Sequence, residues 1–162
     1  DLHSFPTRRS SDLHIDPALI EALAKRFGSQ CVVVGIDSVL RGDAWRALRL
    51  TGDPDLAADS GRETLAWVRE AQVRGAGEIV LNCVASDGVG DGYDIGQLRA
   101  AREICDVPLV ASGGAGNAAH FAQVFRDADV DGALAASVFH SGAITISALK
   151  RTLRSEGIEV RP

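Results

Sequence analysis

The chain has 162 residues, of which 46% are hydrophobic and 24% charged, and its formal net charge is −5. This composition is typical of a globular protein with one substantial core, and the negative charge excludes the basic surface that nucleic acids and anionic lipids require. No apolar run reaches the roughly 18 residues of a membrane-spanning helix, so we expect a cytoplasmic protein without membrane segments.

Cysteine and histidine spacing argues against a metal site. Cys31, Cys83 and Cys105 lie far apart and form no CxxC pair, and the four histidines show no ligand spacing. Such cysteines are typically reduced thiols in a cytosolic protein rather than disulfides or zinc ligands. We therefore expect neither a metal nor a cofactor.

The first thirteen residues, DLHSFPTRRSSDL, differ from the rest of the chain. They have no sustained hydrophobic period and no apolar core of a signal peptide. We interpret residues 1–13 as a non-native or disordered tail, and residues 14–162 as one domain.

From residue 16 onward the chain alternates helical and strand patterns. Amphipathic periodicity marks the helices, and short apolar runs rich in β-branched residues mark the strands. Between the first strand and the second helix lies an irregular segment, 38–60, part of which we expect to pair as a hairpin over the active-site face. The elements in chain order are helix 18–27, strand 31–37, helix 63–76, strand 78–82, helix 95–105, strand 108–112, helix 118–128, strand 132–136 and helix 146–156.

This alternation predicts an α/β fold of parallel strands with helical crossovers. No GxGxxG follows the first strand, as a doubly wound nucleotide fold would favour, and the glycine turns cluster at the last two strands. Strands 7 and 8 of a (βα)₈ TIM barrel carry its phosphate site, and such a barrel takes about 250 residues. We therefore predict the C-terminal half of a barrel, strands 5–8, with the helices on one face.

The stretch VPLVASGGAG, residues 107–116, is an apolar strand that ends in a serine and three glycines. Asn117 follows as a candidate N-cap of the next helix. Bare backbone N–H groups at a helix N-terminus form an anion site. A tight turn without a ligand explains the same residues, and this stretch alone leaves both readings open.

Six segments together resemble one known family. VVVGID, RGAGEIVLN, DGVGDGYD, VPLVASGGAG, RDADVDGALAASVFH and EGIEVR are similar to the C-terminal half of the cyclase subunits of imidazole glycerol phosphate synthase, an enzyme of histidine biosynthesis. The resemblance implies a (βα)₈ barrel whose glutaminase partner docks at the N-terminal face and supplies ammonia. The substrate would be PRFAR, a ribonucleotide with two phosphates, and the products imidazole glycerol phosphate and an aminoimidazole carboxamide ribotide.

The resemblance also implies roles for individual residues. Asp37 matches a catalytic aspartate at the end of strand 5, and Glu78 matches a charged residue of the gate through which ammonia enters the barrel. Asn82 and Asp87 match further active-site positions. The residues that match the substrate phosphate site are Ser112, Gly113, Gly114, Ala136 and Ser137.

Other parts of the family's site are expected upstream of His14. These are a second catalytic aspartate, its neighbouring lysine and a second phosphate site, so we expect the 162-residue chain alone to be inactive. Open edges at strands 31–37 and 132–136 also predict self-association. Two alternatives are a non-catalytic phosphate-binding half-barrel and another sugar-phosphate barrel, such as the pathway isomerase, which SGGAG and AASVFH together disfavour.

Overall fold

A computed structural model describes residues 16–52, 55 and 57–161, so the predicted tail over residues 1–13 lies outside the described residues. The strands are β1 (Val33–Arg41), β2 (Ala44–Arg49), β3 (Ala58–Glu63), β4 (Glu78–Cys83), β5 (Leu109–Ser112) and β6 (Gly132–Leu134). The α-helices are α1 (Ala18–Phe27), α2 (Thr64–Val73), α3 (Ile95–Arg102), α4 (Ala118–Ala128), α5 (Ser137–His140) and α6 (Ile146–Ser155).

One mixed sheet contains the six described strands in the order β3-β2-β1-β4-β5-β6. The pairs β1–β4, β4–β5 and β5–β6 are parallel. The predicted α/β fold with four consecutive parallel strands is therefore confirmed. The parallel strands follow one another in chain order because a helical crossover returns the chain to the same end of the sheet each time.

The strand predicted at 31–37 is shifted in the structure, because it begins at Val33 and continues to Arg41. The extension pairs antiparallel with β2, from Asp37 opposite Leu48 to Arg41 opposite Ala44. β3 then pairs antiparallel with β2. The irregular segment thus forms two strands that widen the sheet beside β1.

Four helices begin at a side chain that accepts a backbone N–H of the first turn, which stabilises the helix end. The predicted cap Asn117 accepts from His120 N at the start of α4. Glu63, Asp94 and Thr145 do the same for α2, α3 and α6.

The parallel strands bury one face under the helices, as predicted. Alternate strand side chains are fully buried in one apolar core with residues of α2, α3 and α4, including Trp67, Leu98 and Phe121. Because successive strand residues point to opposite faces, Asp37 and Asn82 lie on the other face. The buried strand residues are Val34, Ile36, Ile79, Leu81, Leu109 and Ala111.

The predicted open edge at strand 31–37 is only partly correct. β2 covers β1 from Asp37 onward, which leaves residues 33–36 paired only with β4 among the described residues. Among the described strands, β6 pairs only with β5 and so forms the other edge of the sheet.

The described helices include none that is long and apolar enough to cross a membrane.

A polypeptide of these 162 residues is expected to self-associate. Unpaired strand edges favour contact with another copy, as do apolar side chains on the uncovered face, the face of the sheet opposite the helices. Val33, which is 52% exposed, belongs to this face. Light scattering should therefore show dimers or larger species, and Val33→Lys should shift them toward monomer. Val73→Lys, at an 89% exposed valine of α2, is the matched control and should not. A monodisperse monomer without either substitution would contradict the prediction.

Candidate functional site

The carboxyl ends of the parallel strands bring three predicted site residues into one row. Asp37 lies opposite Asn82 in the β1–β4 register, and Asn82 lies opposite Ser112 in the β4–β5 register. Leu134 of β6 completes the row. Because register partners in parallel strands share a face, these side chains lie next to one another on the face that the helices leave uncovered.

Asp37 accepts two side-chain hydrogen bonds. The Nδ2 of Asn82 donates to its Oδ1 at 2.8 Å, and the Thr51 hydroxyl donates to its Oδ2. Thr51 follows β2, so the hairpin brings this hydroxyl to the site. Sequence reasoning missed Thr51, because its approach to Asp37 depends on the β1–β2 pairing. A carboxylate has about four acceptor positions, so Asp37 keeps acceptor capacity for a further partner.

The second amide atom of Asn82 has no partner. Among the described residues, its Oδ1 is buried and accepts no hydrogen bond. An added Cβ on Gly113 would lie 3.0 Å from this oxygen, so the glycine leaves room beside it. A buried acceptor without a protein donor is typical of sites where a water or a ligand supplies the donor.

A pocket of about 130 Å³ opens at the same end of the sheet. Seven of the predicted site residues line it, from β4, β5, the loops after them and the start of α5. Those seven are Asn82, Asp87, Ser112, Gly113, Gly114, Ala136 and Ser137. The lining residues outside the predicted set are Gly88, Ala115, Leu134 and Ala135, each within two positions of a predicted one.

The glycine turn after β5 has a packing role that sequence reasoning did not predict. Gly114 has φ +110°, and an added Cβ there would lie 2.0 Å from the carbonyl oxygen of Gly92. Gly92 N also donates to Gly114 O at 2.8 Å. An added Cβ on Gly116 would meet Gly90 O at 2.0 Å. The glycines therefore allow backbone contact between the loop after β4 and the loop after β5. Gly114, on one side of this contact, also lines the pocket.

Two predicted residues lie outside the pocket lining. Asp37 is adjacent to it through its hydrogen bond with Asn82. Glu78 begins β4 opposite Val33, at the other end of the sheet from Asn82. The structure therefore separates Glu78 from the other predicted residues by the length of a strand.

Two buried titratable side chains near the site serve as hydrogen-bond donors. The Cys83 thiol donates to Gln97 Oε1 at 3.1 Å, and burial raises the pKa of Cys83 to about 12. It therefore stays protonated at neutral pH and is not a nucleophile. The Tyr93 hydroxyl donates to Leu134 O at 3.0 Å, and burial raises the pKa of Tyr93 as well. Tyr93 thus ties the loop after β4 to β6.

No group of three or more His, Cys, Asp or Glu side chains within the described ranges has the arrangement of a metal site.

A sequence model described as "Histidine biosynthesis protein" matches residues 10–145. The chain belongs to this family. Family membership agrees with the resemblance read from the sequence motifs.

Among the curated relatives, several are named imidazole glycerol phosphate synthase subunit HisF. The protein of Xylella fastidiosa strain 9a5c is 66% identical over 146 residues, which cover 90% of this chain and 57% of the relative. That of Stenotrophomonas maltophilia strain K279a is 63% identical with the same coverage. That of Maricaulis maris is 59% identical over 147 residues, or 91% of this chain and 58% of the relative. This family member thus spans somewhat more than half the length of these relatives.

Proposed function

We propose that this chain supplies part of the cyclase subunit of imidazole glycerol phosphate synthase, the enzyme that its relatives are named for. In this reaction ammonia from a glutaminase partner converts PRFAR to imidazole glycerol phosphate and aminoimidazole carboxamide ribotide. The relatives' shared name supports the cyclase over the pathway isomerase. We further propose a cytoplasmic location for the enzyme.

We propose that β1, β4, β5 and β6 correspond to strands 5–8 of a (βα)₈ barrel. Their consecutive order supports this assignment, because a doubly wound sheet reverses its strand order and places helices on both faces. The uncovered face would then point toward the barrel interior. Active sites of such barrels lie at the carboxyl ends of the strands, where Asp37, Asn82 and Ser112 are found.

The observation that carries the proposal is the Asp37 carboxylate beside the pocket. Asn82 and Thr51 hold its two oxygens in a defined orientation. A carboxylate held in this way at the rim of a pocket suits general acid and base catalysis, in which a positioned group transfers a proton to or from the substrate. Asp37 would perform this transfer, with Asn82 and the loop residue Asp87 as further active-site groups.

The same pocket would hold one substrate phosphate. Ser112, Gly113, Gly114, Ala136 and Ser137 line it together. Glycines expose backbone N–H groups, and Ser137 adds a hydroxyl at the first residue of α5. Backbone N–H and hydroxyl groups are the usual neutral donors to phosphate oxygens.

Inorganic phosphate is expected to shift the backbone amide NMR signals of Gly114 and Ser137, because both residues line the pocket. Ser137→Ala should weaken phosphate binding by about 10- to 150-fold, because a hydrogen bond to a charged group contributes about 1.5–3 kcal/mol. Ser155→Ala, at the far end of α6, is the matched control and should leave the affinity unchanged. Shifts elsewhere, with Gly114 unmoved, would contradict the assignment.

The opposite end of the sheet suits the entry of ammonia. Glu78 stands at the amino end of β4, on the same face as Asn82 and four residues before it. In a barrel this position lies at the N-terminal mouth, where we propose that the glutaminase partner docks. Glu78 would then belong to the gate through which ammonia passes.

A chimaera tests the proposed function. Residues 16–161 would replace the matching part of the Xylella fastidiosa subunit HisF, to which the chain is 66% identical over 146 residues. We expect the chimaera to convert PRFAR with ammonium salts, and the 162-residue chain alone to remain near background. A folded chimaera without turnover would contradict the proposal, and turnover by the isolated chain would contradict the expected inactivity.

A further inference from the structure

Four buried polar side chains lie behind the candidate site, on the face of the sheet that the helices cover. They are Ser38, Thr64, Cys83 and Gln97, each at most 3% exposed, and we call them the buried relay. They come from β1, α2, β4 and α3. Buried polar groups in an otherwise apolar core lower stability unless they bond to one another, so the contacts of the relay show what it holds together.

Gln97 is at the centre of the relay. Its Nε2 donates to Ser38 Oγ, and its Oε1 accepts from the Cys83 thiol at 3.1 Å. Ser38 Oγ also bonds Thr64 Oγ1 at 2.7 Å. Gln97 is itself anchored, because its backbone N–H donates to Asp94 Oδ1 in the first turn of α3. One side chain therefore bridges β1 and β4 at the carboxyl end of their parallel pairing, which we call the two strand ends.

The relay lies directly behind the Asp37–Asn82 pair. Ser38 follows Asp37 and Cys83 follows Asn82, and Ser38 lies opposite Cys83 in the parallel register. Successive side chains of a strand point to opposite faces. Gln97 thus joins β1 to β4 from the helix side, and Asn82 joins them at the neighbouring position from the pocket side.

We propose that Gln97 is a positioning residue for Asp37. By bonding Ser38 and Cys83 at once, it fixes the relative position of the two strand ends and thereby keeps the Asn82 amide in hydrogen-bond contact with Asp37. An apolar residue at this position fills the space but leaves the spacing of the strand ends to packing alone. The catalytic meaning of this role rests on the proposed function, whereas the geometric role does not.

The first test follows the Asn82 side-chain NH₂ by NMR in the full 162-residue chain. Gln97→Met keeps the length of the side chain and removes both hydrogen bonds. We expect hydrogen exchange of the Asn82 NH₂ to become about 5- to 30-fold faster, as for the loss of one buried hydrogen bond. Gln72→Met is the matched control, because Gln72 bridges α2 to Ile104 O and Asp106 N away from the site. Unchanged exchange in Gln97→Met, or equal acceleration in both variants, would overturn the proposal.

A second pair of variants covers the case in which Gln97→Met fails to fold. Cys83→Ser keeps a donor toward Gln97 Oε1, whereas Cys83→Ala removes it, and the two differ by one hydroxyl. We expect Asn82 exchange to be faster in Cys83→Ala than in Cys83→Ser. Equal exchange in the two would count against a role for the relay.

Turnover supplies the catalytic readout. In the active chimaera, Gln97→Met should lower kcat by about 10- to 100-fold, the range expected for a misplaced catalytic group, and leave KM for PRFAR unchanged. Equal changes in kcat and KM would indicate general loosening instead and overturn the positioning role. If the unsubstituted chimaera shows no turnover, the proposed function fails, and the exchange experiments still decide the role of Gln97.

Discussion

Asp37→Asn is expected to lower kcat of the active chimaera by about 10²- to 10⁴-fold, the usual contribution of a positioned acid or base. The asparagine keeps the shape of the side chain but cannot transfer the proton. Its amide would also present a donor to either Asn82 or Thr51, which both donate to the carboxylate. KM for PRFAR should change little, because the predicted phosphate ligands are untouched. Steady-state turnover with saturating ammonium salts measures both constants.

Asp43→Asn is the matched control for this substitution. Asp43 is exposed in the turn between β1 and β2, outside the pocket lining. Asp43→Asn removes the same charge from the same hairpin. A loss of kcat caused by the change in net charge alone would therefore appear in both variants. Full turnover by Asp37→Asn would show that another group performs the proton transfer.

The parallel strands are predicted from the sequence for a physical reason. Short apolar runs such as 78–82 are buried in the sheet, and a polar residue that closes such a run lies where the strand leaves the core. Because parallel strands end at one edge, Asp37, Asn82 and Ser112 are expected to be neighbours before any contact is known. The resemblance to the cyclase family selects the site residues, and the strand topology explains why the three at the strand ends are neighbours.

The remaining features depend on long-range pairing that single segments do not encode. The extension of β1 to Arg41 is stabilised by β2, and Thr51 reaches Asp37 only after that pairing forms. Ser38, Thr64 and Gln97 are of residue types that usually lie at the surface or at helix caps, yet all three are buried. Their hydrogen bonds to one another permit this burial. Such bonds join residues far apart in the sequence, so the pattern of apolar residues does not predict them.

The glycine turn illustrates how one motif supports two interpretations. SGGAG is consistent with an anion site and with a tight turn, and the sequence alone leaves both readings open. The structure supports a close contact between two loops at Gly92 and Gly114, with the pocket directly beside it. Loop packing therefore explains the glycines without a ligand, and the same packing shapes the pocket that we propose for phosphate.

Gly114→Ala is expected to destabilise the protein through two separate effects. At φ +110° an alanine is strained, which costs about 1–3 kcal/mol. Its Cβ would also lie 2.0 Å from Gly92 O, so the two loops must separate, at a further cost of about 1–3 kcal/mol as for overpacking. Separation breaks the bond from Gly92 N to Gly114 O and deforms the pocket. Urea unfolding should show the loss of stability, and phosphate binding should weaken with it.

Gly142→Ala separates the two effects. Gly142 also has a positive φ, of +72°, but an added Cβ would have no atom within 4 Å. This variant therefore carries backbone strain without the steric overlap, and it lies outside the pocket lining. We expect it to lower the free energy of unfolding by less than Gly114→Ala and to leave phosphate affinity unchanged. Equal destabilisation by the two substitutions would show that the two loops separate at no measurable cost. Gly114 would then be required for its backbone conformation alone.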